Sequence, residues 1–240
     1  MAGERDELIL DHIRRYHLTT DEVLRTLFFP ETSTNAVRKV TGRLVRERSI
    51  KPYTLYEARK YYVLSPRVAE ELGEHRCIAR AFNYQGLVNA YGVLCFCAAF
   101  GITKFTAREF IERFPELHAR GRRASNYYLD NSDEVKRLAL IEVDSGKSPE
   151  RIHRRVQKLI TRAYELQGFG PIISRGRFLI TIVTPSDGKK ANIEEVLRDE
   201  PSDAVKFRLE VVPELGRLLI NHPRRTTPER EQVEGEVEGA

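Results

Sequence analysis

Cysteine is scarce in this chain: Cys77, Cys95 and Cys97 are the only three in 240 residues. That is too few for a disulfide framework or a zinc ligand set. Two of them sit in the apolar run Val93-Leu94-Cys95-Phe96-Cys97-Ala98-Ala99-Phe100, where small core residues are expected and nearby His or Asp ligands are lacking. No apolar run approaches the ~20 residues needed to span a bilayer. The opening Met1-Ala2-Gly3-Glu4-Arg5-Asp6-Glu7 lacks the apolar core of a signal peptide. Internal repeats are absent as well. These absences predict a cytoplasmic protein in a reducing compartment, with no membrane partner.

What is present is an ordinary globular composition, 41% hydrophobic and 31% charged. The length fits one to two domains with a full core. Forty basic residues against 35 acidic ones give a net charge of +5, a mild lean towards a polyanionic partner. Where the cations cluster therefore matters more than their total.

Leu8, Ile9, Ile13 and Tyr16 recur at helical spacing, predicting a helix over 4–16. Thr19 or Thr20 can cap a second, short helix before Pro30, with Asp21 and Glu22 suited to the positive end of its dipole. Thr32-Ser33-Thr34 starts a third helix that runs to about Arg48 on an apolar face of Val37, Val40, Leu44 and Val45. Two β-prone runs, Ile50–Tyr56 and Tyr61–Leu64, flank a charged turn at Glu57–Lys60 and predict a hairpin. Ser65-Pro66 opens a further helix that Gly73 closes. Three helices followed by a hairpin is the order of a winged helix-turn-helix, expected over residues 1–74.

The remainder predicts a long apolar helix or helix pair over 75–100 and a helix over Ala107–Phe114. Strands follow at 126–130 and 137–144, then an amphipathic helix from Ser148 to about Gln167. A strand at Arg177–Thr184, a helix across about Lys189–Arg198 and a strand at Val205–Val212 complete the pattern. This is an α/β layered domain over 75–220, making the fold class α+β/α/β. From about Asn221, an acidic tail with Glu231, Glu234, Glu236 and Glu238 is expected to be disordered.

The third helix carries the strongest chemical signal. Ser33, Thr34, Asn35, Arg38, Lys39, Arg43 and Arg46 point away from its apolar stripe. Arg reads guanine in bidentate fashion, Asn reads adenine, and Ser or Thr reaches phosphate. Arg59 and Lys60 at the hairpin turn suit a wing that meets the DNA backbone. A solvated helix face or a protein-docking module are the plainer alternatives. In the second half, Arg151, Arg155, Lys158 and Arg162 form a basic stripe on the 150–167 helix, opposite Ile152, Val156, Leu159, Ile160 and Ala163. Arg120, Arg122 and Arg123 add a basic loop that can reach the same phosphate track.

Glu142 and Asp144 at i, i+2 share one face of a strand end, and Asp130 ends the strand before it. Clustered carboxylates of this kind hold Mg²⁺ for phosphodiester chemistry. The arrangement resembles the PD-(D/E)xK nuclease core, with Asp130 and Glu142 as its carboxylates and Gln157 or Lys158 on the following helix. It departs from that pattern where Asp144 stands in place of the catalytic Lys and Leu129 in place of the Pro. Lys147 is the nearest substitute. The resemblance therefore implies a degenerate, restriction-endonuclease-like domain, with Mg²⁺ as cofactor only if it were an active nuclease and otherwise none.

Across about residues 5–215 the chain also resembles the replication-relaxation family of plasmid and integrative-element proteins. The resemblance rests on Leu18-Thr19-Thr20-Asp21-Glu22-Val23-Leu24-Arg25-Thr26-Leu27-Phe28-Phe29-Pro30, on Tyr61-Tyr62-Val63-Leu64-Ser65-Pro66, on Glu142-Val143-Asp144-Ser145-Gly146 before a basic helix, and on Val183-Thr184-Pro185-Ser186. It implies sequence-specific double-stranded DNA binding as a mobilisation accessory factor, with a relaxase or related machinery as partner. The alternatives are a Mg²⁺-dependent nuclease or transposase subunit, and a winged-helix repressor that forms a homodimer.

Overall fold

The computed structural model describes residues 3–118, 126–166, 168–198 and 205–221. Small polar side chains set the helix starts in the first third. Thr20 accepts from the Val23 N–H at 3.3 Å, Ser33 from Ala36 at 3.4 Å and Ser65 from Val68 at 3.3 Å. Each satisfies one of the amide donors that a helix N-terminus leaves free. The caps open α2 (Asp21–Phe28), α3 (Thr34–Arg46) and α4 (Pro66–Glu71), after α1 (Glu4–Tyr16). Between α3 and α4, β1 (Ile50–Tyr56) and β2 (Arg59–Leu64) pair antiparallel. Their connection is only Glu57-Ala58, with Glu57 at φ +50°. Thr19 and Tyr62 exchange backbone hydrogen bonds at 3.0 and 2.8 Å, tying the α1–α2 link to β2. Ile9, Ile13, Leu24, Val37, Leu44 and Leu64 close a core among these elements.

A 3-10 turn (Arg76–Ala79) leads to α5 (Tyr84–Phe100), capped by Asn83 and ended by Gly101 at φ +63°. Its sequence is apolar nearly all round, so it must be covered on all sides. Nine of its residues are buried. On one side lie Tyr16, Leu18, Val23, Leu55 and Val63 from the first half, and on the other Ala139, Ile141, Val143, Leu179 and Val183 from a sheet. Helix and sheet meet at Gly92, where a Cβ would fall 2.6 Å from Val143 Cγ1. Only glycine permits that approach.

The sheet has the order β3 (Tyr127–Asp130), β4 (Arg137–Val143), β5 (Phe178–Thr184), β6 (Val205–Val211); β3–β4 is antiparallel and the other pairs are parallel. Before it comes α6 (Ala107–Arg113), opened by a Thr106–Glu109 capping box. The crossover from β4 to β5 carries α7 (Pro149–Tyr164) and α8 (Phe169–Ser174), and that from β5 to β6 carries α9 (Asp187–Leu197). Ile152, Val156, Ile160 and Ile193 from α7 and α9 pack on Leu138, Leu140, Ile180 and Ile182. The opposite face is covered by α5 and by α10 (Pro213–Asn221), through Leu215 and Leu218. Alternation along the strands thus feeds two cores, giving a mixed α/β fold with a mostly parallel sheet between helical layers.

The anticipated strands all form, as do the amphipathic α7 and the helices at 107–113 and 187–197. The sequence pattern did not show α8 or α10. The hairpin turn is shorter than expected, with β2 beginning at Arg59. The basic loop with Arg120, Arg122 and Arg123, the expected helix end at Gln167 and the acidic tail from 222 onward lie outside the described residues. Among those described, no helix is long and apolar enough to cross a membrane.

Candidate nucleic-acid interface

The amphipathic pattern of α3 orients its chemistry. Val37, Thr41 and Leu44 are buried, while Ser33, Thr34, Asn35, Arg38, Lys39 and Arg46 are exposed. The buried side is fixed by one carboxylate from α2. Asp21 accepts from the Thr41 hydroxyl at 3.1 Å and the Tyr62 hydroxyl at 3.3 Å, joining α2, α3 and β2. Burial raises its pKa and these two hydrogen bonds oppose the rise. No acidic residue lies in the first turn of α3, so the exposed face begins neutral at Thr34 and Asn35 and becomes cationic at Arg38 and Lys39.

Arg43, expected among the DNA contacts, is engaged elsewhere. Its guanidinium grips Asp6 of α1 through two hydrogen bonds of 2.7 and 2.9 Å, and Glu47 lies 3.4 Å away. The Asp6 side chain is only 6% exposed, against 39% for Arg43, and the pair holds the Asp6 pKa down. Arg43 is a clamp between α1 and α3. At the hairpin, Arg59 pairs with Glu22 at 2.9 Å and lies over the Tyr56 ring, whereas Lys60 is exposed. The turn itself displays Glu57 and Ala58, so the tip is less basic than the sequence suggested.

On α7, Arg151, Lys158 and Arg162 are exposed and Arg155 is half-buried. Arg154, which the sequence reading left out, stands at i+3 from Arg151 and belongs to the same face. With Lys147 from the β4–α7 loop, four of these residues, Arg151, Arg154, Arg155 and Lys158, line a depression of about 220 Å³ whose wall holds no acidic residue among those described. Arg162 lies a turn further along α7, outside this group.

Beneath the depression is Glu142, whose Oε1 meets the Arg155 guanidinium in a contact of charge, not an aligned hydrogen bond. Burial raises the Glu142 pKa and Arg155 counteracts it. Asp144 is fully buried and its Oδ1 accepts from the Gly146 and Lys147 N–H groups at 2.9 and 3.2 Å. Its Oδ2 has no hydrogen-bond partner among the described residues. Burial raises its pKa against the attraction of Lys189, whose Nζ donates to the Lys147 carbonyl at 2.8 Å. Lys147 thus shapes the basic depression and the turn below it.

The proposed trio of carboxylates does not assemble. Asp130 is opposite Arg137, five residues before Glu142 on β4, or about 16 Å at ~3.3 Å per residue. It also faces the other way. Tyr128, on the same side of β3, packs in the α5 core, whereas Leu138 and Leu140, on the Glu142 side of β4, pack against α7. Asp130 is bound instead by Arg208 at 3.3 Å and by the Ser132 hydroxyl at 2.8 Å. Sequence adjacency of two strand ends concealed the register that separates them. Among the described residues no group of three His, Cys, Asp or Glu side chains is placed to hold a metal. With Glu142 against Arg155 and Asp144 sealed from water, the donor set does not fit Mg²⁺, which binds through carboxylates while keeping several waters.

No family model, curated protein or solved structure matches this chain.

Proposed function

We propose that the protein binds double-stranded DNA, with its first 74 residues acting as a winged helix-turn-helix whose α3 enters the major groove. The observation that carries this reading is the exposed face of α3, where Thr34, Asn35, Arg38, Lys39 and Arg46 stand together on a helix braced from behind by Asp21 and Arg43. Asn35, Arg38 and Lys39 have the donors and acceptors that discriminate base edges, and Arg46 suits backbone phosphate. The rigid backing matters because base readout needs a helix held in one orientation.

The basic depression on α7 supplies a second polyanion-binding surface, suited to non-specific backbone contact. This reading leaves the sheet domain, which we liken to a degenerate nuclease fold, as a support for binding and assembly without cleavage. The resemblance to replication-relaxation proteins favours a mobile-element accessory role with a relaxase as partner. Fluorescence anisotropy against DNA fragments from the protein's own genetic neighbourhood tests the core of the proposal. Specific binding is expected, weakened by ~1–3 kcal/mol in Arg38→Ala. Unchanged affinity in the Asn35→Ala/Arg38→Ala double variant would refute it.

A further inference from the structure

A cavity with no residue of α3 or α7 in its described wall lies elsewhere on the molecule. It encloses about 950 Å³ between Arg15 of α1, the loop after α5, α6, the end of β3 and Arg208 of β6. This volume is at the upper end of the range for small-molecule pockets, ~300–1,000 Å³. Part of the wall is apolar: Phe100, Ile102, Phe105 and Leu129 line it. Phe100 is 41% exposed, a large aromatic surface left open to the cavity's own end of α5.

The charges of the wall are unequally matched. Arg15 grips Glu109 at 2.5 and 2.7 Å, Arg208 holds Asp130 at 3.3 Å, and Glu112 is taken by Arg108 at 2.7 Å. That leaves Lys104 and Arg113, neither of which pairs with a carboxylate among the described residues. The Arg113 guanidinium lies over the Phe105 and Phe114 rings. Lys104 is only 6% exposed, its ammonium 5.9 Å from the Tyr16 ring centroid. Glu109 and Glu74 attract this ammonium only from beyond ion-pair distance, and a buried ammonium without a close carboxylate is costly to a fold. Burial pushes its pKa down to about 8. An aromatic wall beside two unmatched cations matches the chemistry of an amphipathic anion.

We infer that this cavity is a binding site for a small amphipathic anion, with an aromatic or aliphatic body against Phe100, Ile102 and Leu129 and an acidic group answered by Lys104 and Arg113. The site joins both halves of the molecule. Arg15 donates to the Lys104 carbonyl at 2.8 Å, and Tyr16 donates from its hydroxyl to the Ile102 carbonyl at 3.0 Å. A ligand there touches α1, α6 and the sheet together. The inference stands independently of DNA binding.

The probe is 8-anilinonaphthalene-1-sulfonate, an aromatic monoanion, titrated into the full chain and followed by its fluorescence. Saturable binding of one dye per chain is expected. Lys104→Met, which replaces a lone buried charge by an apolar group of similar length, should weaken it at least ~10-fold. Ile220→Ser, at an 82% exposed position on α10, should leave it unchanged and serves as the control for indiscriminate dye binding. Non-saturating fluorescence, equal affinity in Lys104→Met, or an equal loss in Ile220→Ser would overturn the inference. If Lys104→Met fails to fold by circular dichroism, Arg113→Gln on exposed α6 replaces it. About a threefold loss is then expected, and no loss overturns the inference.

Discussion

Arg38 and Arg43 lie five residues apart on one helix, and their replacements should separate recognition from stability. In Arg43→Ala the Asp6 carboxylate, only 6% exposed, loses both guanidinium hydrogen bonds. Removing one partner of a fully buried pair costs about 3–5 kcal/mol. Arg43 is itself 39% exposed, so water screens the interaction, and an exposed pair would contribute only ~0–1 kcal/mol. An intermediate loss of about 1.5 kcal/mol follows. For a chain of this size that lowers Tm by roughly 3–6 °C. Because the pair depresses the Asp6 pKa, its stabilisation is present above the unfolded carboxyl pKa and disappears as pH falls through the folded one. The Tm difference between wild type and Arg43→Ala should therefore shrink in acid. Arg38→Ala should behave in the opposite manner, with Tm unchanged and DNA affinity reduced. Differential scanning fluorimetry alongside anisotropy gives both readouts. If Arg43→Ala retains the wild-type Tm but loses DNA affinity as Arg38→Ala does, the clamp assignment is wrong and Arg43 belongs to the recognition surface.

Three further outcomes are expected. With about five phosphates contacted, log K for DNA should fall with log[salt] at a slope of about −4 to −5, and Arg151→Ala/Lys158→Ala should flatten it by about 2 units; an unchanged slope removes α7 from the interface. Burial raises the Asp144 pKa, so ionisation weakens the fold as pH rises from the unfolded pKa through the folded one. Asp144→Asn keeps the Oδ1 acceptor and removes that charge, and should match wild type near about pH 3 yet withstand more urea near about pH 7; equal midpoints at both would contradict this. Plasmid DNA should stay intact with Mg²⁺ or Mn²⁺ because Asp130 is apart from Glu142 and Asp144 and a carboxylate stands where a cation is needed to stabilise charge on the phosphate. Metal-dependent cleavage that vanishes in Glu142→Ala would reverse the conclusion.

Local chemistry was readable from the sequence wherever neighbours along the chain decide it. Ser33 and Thr106 announce their caps, and the 3.6-residue spacing of Ile152, Val156 and Ile160 announces α7 and its basic outer face. Short elements such as α8 and α10 carry too few turns for that periodicity to emerge. Partners distant in sequence were hidden. Nothing near Arg43 points to Asp6, 37 residues away, and nothing near Asp130 tells that antiparallel pairing sends it to the far end of the sheet. Lys104 sits in a segment of mixed polarity, where a lysine reads as surface. Only the packing of α1 against the loop after α5 reveals that it is enclosed.

Helix α5 has a consequence for how this protein can be divided or recombined. A linker between two independent modules can be cut, lengthened or exchanged at little energetic expense, because few contacts cross it. Here the segment after α4 becomes a shared wall. Leu87, Val88, Tyr91 and Leu94 share one apolar cluster with Leu18 and Val63 on one side and with Ile141 and Val183 on the other. Severing the chain near residue 75 would leave each fragment with half of that cluster open to water, an invitation to aggregate. The halves are therefore expected to be inherited and expressed together, and a chimera that borrows only the first 74 residues should need a substitute for α5.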